Sequence, residues 1–197
     1  MNHLAHALLA GDHEALRLGG LLGDFVHGRP DTAVFPAAVI AGIRLHRAID
    51  VYTDAHPVVL AAKAQLPSPY RRYAGILLDM WFDHCLARDF SRWHASPLDQ
   101  YSQALRRLLL RNEALLPPAL RQFLAYMQAH DLPAGYAGLA GLDRALVGIG
   151  QRLRRANPLD SALPVLLERH DLLQQHFELF YPQLQAFARG WISEHAC

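Results

Sequence analysis

The chain is short of lysine, of cysteine and of long apolar runs. Lys63 is its only lysine, and its two cysteines, Cys85 and Cys197, are too few for a disulfide framework. No apolar run is long enough to span a bilayer, and the first residues lack the basic region of a secretory signal peptide. We therefore expect a cytoplasmic protein that does not enter a membrane.

Several catalytic motifs are also missing. The chain contains no Gly-x-Ser-x-Gly nucleophile elbow, and its only lysine is not part of a phosphate-binding Gly-x-x-x-x-Gly-Lys loop. Cys85 directly follows His84, so these two side chains point to different sides of a helix. The formal net charge is +1, which argues against a protein that binds nucleic acid through bulk positive charge.

A helical pattern is present over almost the whole chain. Hydrophobic residues make up 52% of the 197 residues and recur at spacings of three and four, whereas no alternating pattern is long enough to indicate a strand. We predict one all-α domain over residues 1–197, built as a bundle of about seven to nine helices. Predicted helices begin at Pro36 and Pro117 and cover residues 70–94, 96–115 and 159–195.

One stretch of sequence carries the clearest chemical signal. His46, Asp50 and Asp54 are each four residues apart, which places them one above another on one face of a helix. An imidazole and two carboxylates in that arrangement suit a divalent cation. Other interpretations stay open, because His46 fits a hydrogen-bonded core residue and Asp50 fits a surface ion pair with Arg44 or Arg47. For Asp54, an N-cap of the next helix is the better interpretation.

A second carboxylate pair lies in an apolar segment. Asp79 and Asp83 are four residues apart, and Asp83 follows Trp81 and Phe82 directly. Burial of a carboxylate without a partner is costly, so this pair also indicates a site. Asp24 lies in a glycine-rich stretch, which indicates either close approach to a ligand or tight helix packing. The metal hypothesis therefore draws on six residues: Asp24, His46, Asp50, Asp79, Asp83 and His84.

Two other groups have more than one interpretation. His3 and His6, three residues apart, fit ligands, donors to ligands or the exposed end of a frayed helix. Arginines cluster at 71–72, at 106–111 and at 152–155. Each arginine cluster fits a solvated helix face, and together they fit a surface that holds an acidic macromolecule.

Four motifs occur in a fixed order. They are Asn2-x-Leu4-Ala5-His6, Gly23-Asp24-Phe25-Val26-x-Gly28, Gly42-Ile43-x-x-His46-Arg47-x-Ile49-Asp50-x-x-Thr53-Asp54 and Asp79-x-x-x-Asp83-His84. With these motifs the chain resembles the acyl carrier protein phosphodiesterases over essentially its whole length. The resemblance implies a hydrolase that cleaves the 4′-phosphopantetheine arm from holo-acyl carrier protein and leaves the apo-protein. It also implies dependence on Mn²⁺, with Mg²⁺ or another divalent metal as substitutes, and a helical fold like that of HD-domain phosphohydrolases.

A mechanistic hypothesis assigns roles to individual residues. During attack by a metal-activated water, Asp79 or His84 would either support the metal ligands or accept a proton, and Arg47 would neutralise a phosphate oxygen. Trp81 and Phe82 either line the channel of the arm or pack in the core. The predicted metal ligands are Asp24, His46, Asp50 and Asp83, and the predicted catalytic residues are Asp24, Asp79, His84 and Arg47.

Two other functions fit the same residues. One is an HD-like metal-dependent hydrolase of a nucleotide or small phosphodiester. The other is a non-catalytic helical protein that binds phosphopantetheine proteins or holds a metal for structure. If the substrate is an acidic carrier protein, the arginine clusters would dock it through charge, and docking would weaken with salt.

Overall fold

The computed structural model describes residues 1–195, and these residues form helices joined by short connections. No strand occurs among them, so the predicted all-α class is confirmed. This part of the chain has ten α-helices, one more than the upper end of the predicted range, because the segment from 159 onwards divides into a short 3-10 helix and two α-helices. The α-helices are α1 (His3–Leu9), α2 (Glu14–Leu22), α3 (Ala37–Ala55), α4 (Pro57–Ala64), α5 (Ala74–Arg88), α6 (Leu98–Arg111), α7 (Pro118–Ala129), α8 (Leu139–Arg152), α9 (Ala162–Leu167) and α10 (His170–His195).

The boundary between α3 and α4 differs from the prediction. Asp54 lies inside the last turn of α3 and caps no helix, so the N-cap interpretation is wrong. The cap of α4 is His56, whose Nδ1 accepts the backbone N–H of Val58 at 3.3 Å. Pro57 disfavours helical backbone at the residue before it, so the chain leaves the helix at His56 and not earlier. Asp54 instead pairs with Lys63 at 2.7 Å.

The centre of the core is the contact between α5 and α10. Phe177, Phe180 and Tyr181 of α10 are fully buried, and the ring of Phe82 on α5 lies 5.6 Å from Phe177 and 6.1 Å from Phe180. Trp81 is fully buried as well. Each such side chain contributes about 1.5–3 kcal/mol through burial. Of the two interpretations of Trp81 and Phe82, core packing is therefore the correct one.

The sequence also led us to expect no membrane-spanning segment and no disulfide framework. Although α10 has 26 residues, neither it nor any other helix between residues 1 and 195 is long and apolar enough to cross a membrane. Cys85 is buried with a free thiol, and Cys197 lies outside the described residues. Burial raises the pKa of the Cys85 thiol to about 12, so it stays protonated.

The crossing of α2 and α3 prepares the site. Gly19 and Gly42 face each other there, and a Cβ atom on Gly42 would collide with the carbonyl oxygen of Leu16 and lie 2.8 Å from the Cα of Gly19. The two backbones can approach this closely only because neither position has a side chain. His46 of α3 therefore reaches the short 3-10 helix Gly23–Phe25 that follows α2.

Candidate metal centre

Helix α1 is fixed at its N-terminus. Asn2 caps it, because its side-chain oxygen accepts the N–H of His3 at 2.8 Å. The backbone N–H groups of Asn2 and Leu4 donate to the two oxygens of Asp83, at 3.1 and 2.9 Å. Asp83 is fully buried, so α5 holds the start of α1 from within the core. This attachment positions His6, one turn further along α1, against α3.

His46 is the centre of a cluster of polar side chains. Its Nδ1 lies 2.8 Å from the carbonyl oxygen of Gly20, which can only accept, so this nitrogen carries the proton. Its Nε2 then lies 3.2 Å from Oδ2 of Asp50 and 3.3 Å from Oδ1 of Asp24. A Cβ atom on Gly23 would collide with the His46 ring, so glycine leaves the room that this ring needs.

His6 joins the cluster from the opposite side. Its ring stacks on that of His46, with centroids 3.7 Å apart and planes inclined by 19°. His6 Nε2 lies 3.1 Å from Oδ1 of Asp50, but neither ring nitrogen makes a well-formed hydrogen bond within the described residues. A buried imidazole without such a bond is costly, and a cation would satisfy it. One donor atom from each of His6, His46 and Asp50 lies within 4.8 Å of the others, so the three residues fit a divalent cation.

The protonation states of the cluster agree with that fit. Burial, together with the neighbouring His46, lowers the pKa of His6 to about 4, so this ring is neutral and able to bind a cation. Burial acts in the same direction on His46, but hydrogen bonds to Asp24 and Asp50 outweigh it and raise the pKa of His46 to about 9. Burial would raise the pKa of both carboxyls, yet the same hydrogen bonds hold the pKa of Asp24 and Asp50 well below the usual range. In the metal-free protein, His46 is therefore doubly protonated, and its second proton, on Nε2, occupies the place between two carboxylates that a cation would take.

An acidic cavity of about 220 Å³ lies beside the cluster. Asp79 reaches it from α5, with its Oδ1 2.6 Å from the amino nitrogen of Met1. Thr53 is buried, and its hydroxyl has no hydrogen-bond partner among the described residues, so it is free to bind a group placed there. The cavity is lined by Met1, Asp24, Asp50, Thr53, Asp54 and Asp79.

Asp83 and His84 lie apart from this cluster. Burial raises the pKa of Asp83 to about 7, against the opposite effects of the Met1 ammonium and of the two backbone N–H groups. The Nδ1 of His84 lies 2.8 Å from the carbonyl oxygen of Tyr136, and burial lowers the pKa of His84. Within residues 1–195, no hydrogen bond or ion pair joins either side chain to His46. Their roles as ligand and catalytic residue stay predictions.

Three other residues singled out in the sequence, Arg47, His3 and His6, contact the cluster or the segment next to it. Arg47 donates to the carbonyl oxygen of Val26 at 2.7 Å and so holds the segment that follows Asp24. His3 Nδ1 lies 3.7 Å from Oδ2 of Asp24. His6 is 1% exposed, so the interpretation of this histidine as the exposed end of a frayed helix is wrong. In the sequence, only its spacing from His3 and the matching N-terminal motif indicated its importance.

Comparison with known proteins gives one consistent result. A family model described as acyl carrier protein phosphodiesterase matches residues 1–184. The protein called acyl carrier protein phosphodiesterase in Serratia proteamaculans (strain 568) is 35% identical over 190 residues, which cover 96% of this chain and 98% of that protein. Its namesake in Escherichia coli (strain K12 / DH10B) is 34% identical over 189 residues, covering 95% and 97%. No solved structure matches the chain significantly, so the similarity to the HD fold stays a prediction.

Proposed function

Because this chain belongs to the acyl carrier protein phosphodiesterase family, we propose that it hydrolyses the phosphodiester between 4′-phosphopantetheine and holo-acyl carrier protein. The products are the free arm and the apo-protein. The observation that carries the proposal is the family match over residues 1–184, which includes every residue of the His–Asp cluster. The resemblance indicated by the four sequence motifs is confirmed by the same match.

A divalent cation is part of the proposal. His6, His46, Asp24 and Asp50 would hold it, because their donor atoms already converge. When bound, such a cation neutralises phosphate charge and lowers the pKa of water toward neutrality. A mixture of imidazole and carboxylate donors suits a transition metal such as Mn²⁺ better than Mg²⁺. We therefore propose Mn²⁺ as the cation.

The neighbouring residues have supporting roles in this proposal. Asp79 lines the cavity beside the cluster and would accept a proton there. Arg47 keeps the turn that carries Asp24 in place through Val26, and its predicted contact with a phosphate oxygen is retained. Asp83 acts through α1, since both of its oxygens accept backbone N–H groups. It is a positioning residue in this scheme.

Two of the arginine clusters would dock the carrier protein. The hydroxyl of Tyr73 donates to the carbonyl oxygen of Ala156 at 3.3 Å, which brings residues 71–72 next to residues 152–155. Among the described residues, no carboxylate lies within ion-pair distance of these arginines. In the 106–111 cluster, by contrast, two of the three arginines already pair, at 2.7 Å each, with Asp131 and Glu14. We name the exposed set of Arg71, Arg72, Arg152, Arg154 and Arg155 the basic face.

The mass of the carrier protein tests the proposal. The protein is incubated with Mn²⁺ and holo-carrier, with and without a chelator, and the molecular mass of the carrier is then measured. We expect conversion to the apo mass only without chelator, and loss of conversion in Asp50→Asn but not in the control Asp99→Asn, which changes an exposed carboxylate on α6.

Other outcomes would favour other functions. An unchanged carrier mass together with rapid turnover of a nucleotide would identify a hydrolase of small phosphodiesters. Binding of the carrier without cleavage would identify a binding protein. The cytoplasmic location expected from the sequence remains a prediction within the same proposal.

A further inference from the structure

An apolar groove of about 460 Å³ lies next to the candidate metal centre. His3 lies between the two, because it lines the groove and its Nδ1 lies 3.7 Å from Oδ2 of Asp24. Phe25, the next residue after Asp24, forms part of the wall. The side chains that line the groove include Phe25, Met80, Phe123, Tyr126, Tyr136 and Ile149.

We propose that this groove binds the pantetheine arm of the carrier protein during hydrolysis, which rests on the function proposed above. The scissile phosphodiester would lie beside Asp24, His46 and Asp50, because these residues would hold the cation that activates the attacking water. The arm leaves the phosphate on the side away from the carrier serine. A groove that lies beside Asp24, with His3 between them, is therefore placed to receive it.

The chemistry of the groove fits that of the arm. A pantetheine arm has a dimethyl-substituted carbon, several methylene groups and two amides, so it needs apolar walls with few polar groups. The ring of Phe123 lies 4.7 Å from that of His3 and 5.9 Å from that of Phe25, and these rings form one apolar wall. Gln122 and Arg152 lie at the groove without an ion pair or side-chain hydrogen bond in the described range, and both are exposed. They can donate to amide oxygens.

The volume of the groove also suits a ligand of the size of a pantetheine arm. Pockets for small ligands generally have about 300–1,000 Å³, and the groove falls within this range. The acidic cavity that Asp24 lines is about half as large and is lined mainly by carboxylates. An uncharged arm therefore favours the groove over the acidic cavity.

Gly148 of α8 offers a position at which the groove can be blocked. It lines the groove, and a Cβ atom added there would meet nothing within 4 Å. Gly148→Trp therefore places a large side chain at the groove from a position where its Cβ atom meets no neighbour. Gly190→Trp is the matched control, because Gly190 also lies inside a helix, is exposed and has nothing within 4 Å of an added Cβ.

Binding of pantetheine is measured by calorimetry in the presence of Mn²⁺, and KM for holo-carrier is measured separately. We expect Gly148→Trp to weaken pantetheine binding and to raise KM by about tenfold each, whereas Gly190→Trp matches the parent. Equal pantetheine binding by all three proteins, or none by the parent, would overturn the assignment of the groove. An unchanged carrier mass with the parent would instead refute the phosphodiesterase function. The pantetheine titration would still show whether the groove binds the arm.

Discussion

At the scale of single residues, the cluster couples metal binding to protons. His46 has a pKa raised to about 9 by Asp24 and Asp50, so the metal-free ring is protonated at neutral pH. A bound cation must displace that proton, and we expect release of about one proton per Mn²⁺ at pH 7. Affinity for Mn²⁺ should then rise with pH up to about 9. Calorimetry in buffers of different ionisation enthalpy measures both quantities, and affinity independent of pH would contradict this coupling.

The same shift predicts how the metal-free protein responds to pH. The pKa of His46 is higher in the folded state than its ordinary value of 6.5. Its contribution to stability is therefore fully present below pH 6.5 and is lost as pH rises through about 9. Denaturant unfolding in a chelator should show this decline. It should be absent from His46→Gln, which has no titrating group at this position.

Asp83 gives a second prediction at this scale. Its carboxylate accepts two backbone N–H groups, whereas an amide keeps one acceptor oxygen and places an NH₂ group against the second N–H. We expect Asp83→Asn to lower the free energy of unfolding in a chelator by about 1–3 kcal/mol. Asp54→Asn is the control, since it removes only an exposed ion pair with Lys63, worth less than about 1 kcal/mol. Unchanged stability with complete loss of Mn²⁺ binding would show that Asp83 is a ligand after all.

At the scale of helices, the α2–α3 crossing sets the position of the cluster. Gly42→Ala would place a methyl group against the backbone of α2, and we expect a loss of about 1–3 kcal/mol in the free energy of unfolding. The added methyl group would push α3 away from α2 and so move His46 away from Asp24. Affinity for Mn²⁺ should therefore fall as well. Urea denaturation and metal titration measure the two effects.

A matched alanine substitution separates packing from helix propensity. Gly190→Ala lies in open space inside α10, so it should stabilise the protein by up to about 1 kcal/mol. If Gly42→Ala behaves in the same way, the helices do not need glycine at their crossing.

At the scale of the whole molecule, the distribution of arginines predicts how an acidic carrier docks. Reversing two charges of the basic face, in Arg154→Glu with Arg155→Glu, should raise KM for holo-carrier by about tenfold at low salt and reduce its salt dependence. Arg107→Glu with Arg111→Glu changes the net charge equally but in the 106–111 cluster, where Arg111 already pairs with Glu14, and should have a small effect. Equal effects of the two double variants would show that only net charge matters.

Several features could be predicted from local spacing. The helical class follows from apolar periodicity, and the pairing of His46 with Asp50 follows from a separation of one helical turn. The position of Asp24 beside them could be predicted only through its motif. Trp81 and Phe82 show the limit of this reasoning, because an aromatic residue has the same spacing in a channel wall as in a core.

By itself, the sequence determined the all-α class, the family, and the turn of α3 that carries an imidazole and a carboxylate together. Only the tertiary structure decided that His6 faces Asp50 across 44 positions of the chain and that Asp83 holds the start of α1. The physical reason is the range of the interactions. Periodicity reports which residues share a face of one helix, whereas the meeting of two helices depends on how all of their faces pack, and here on glycines that allow α2 and α3 to touch.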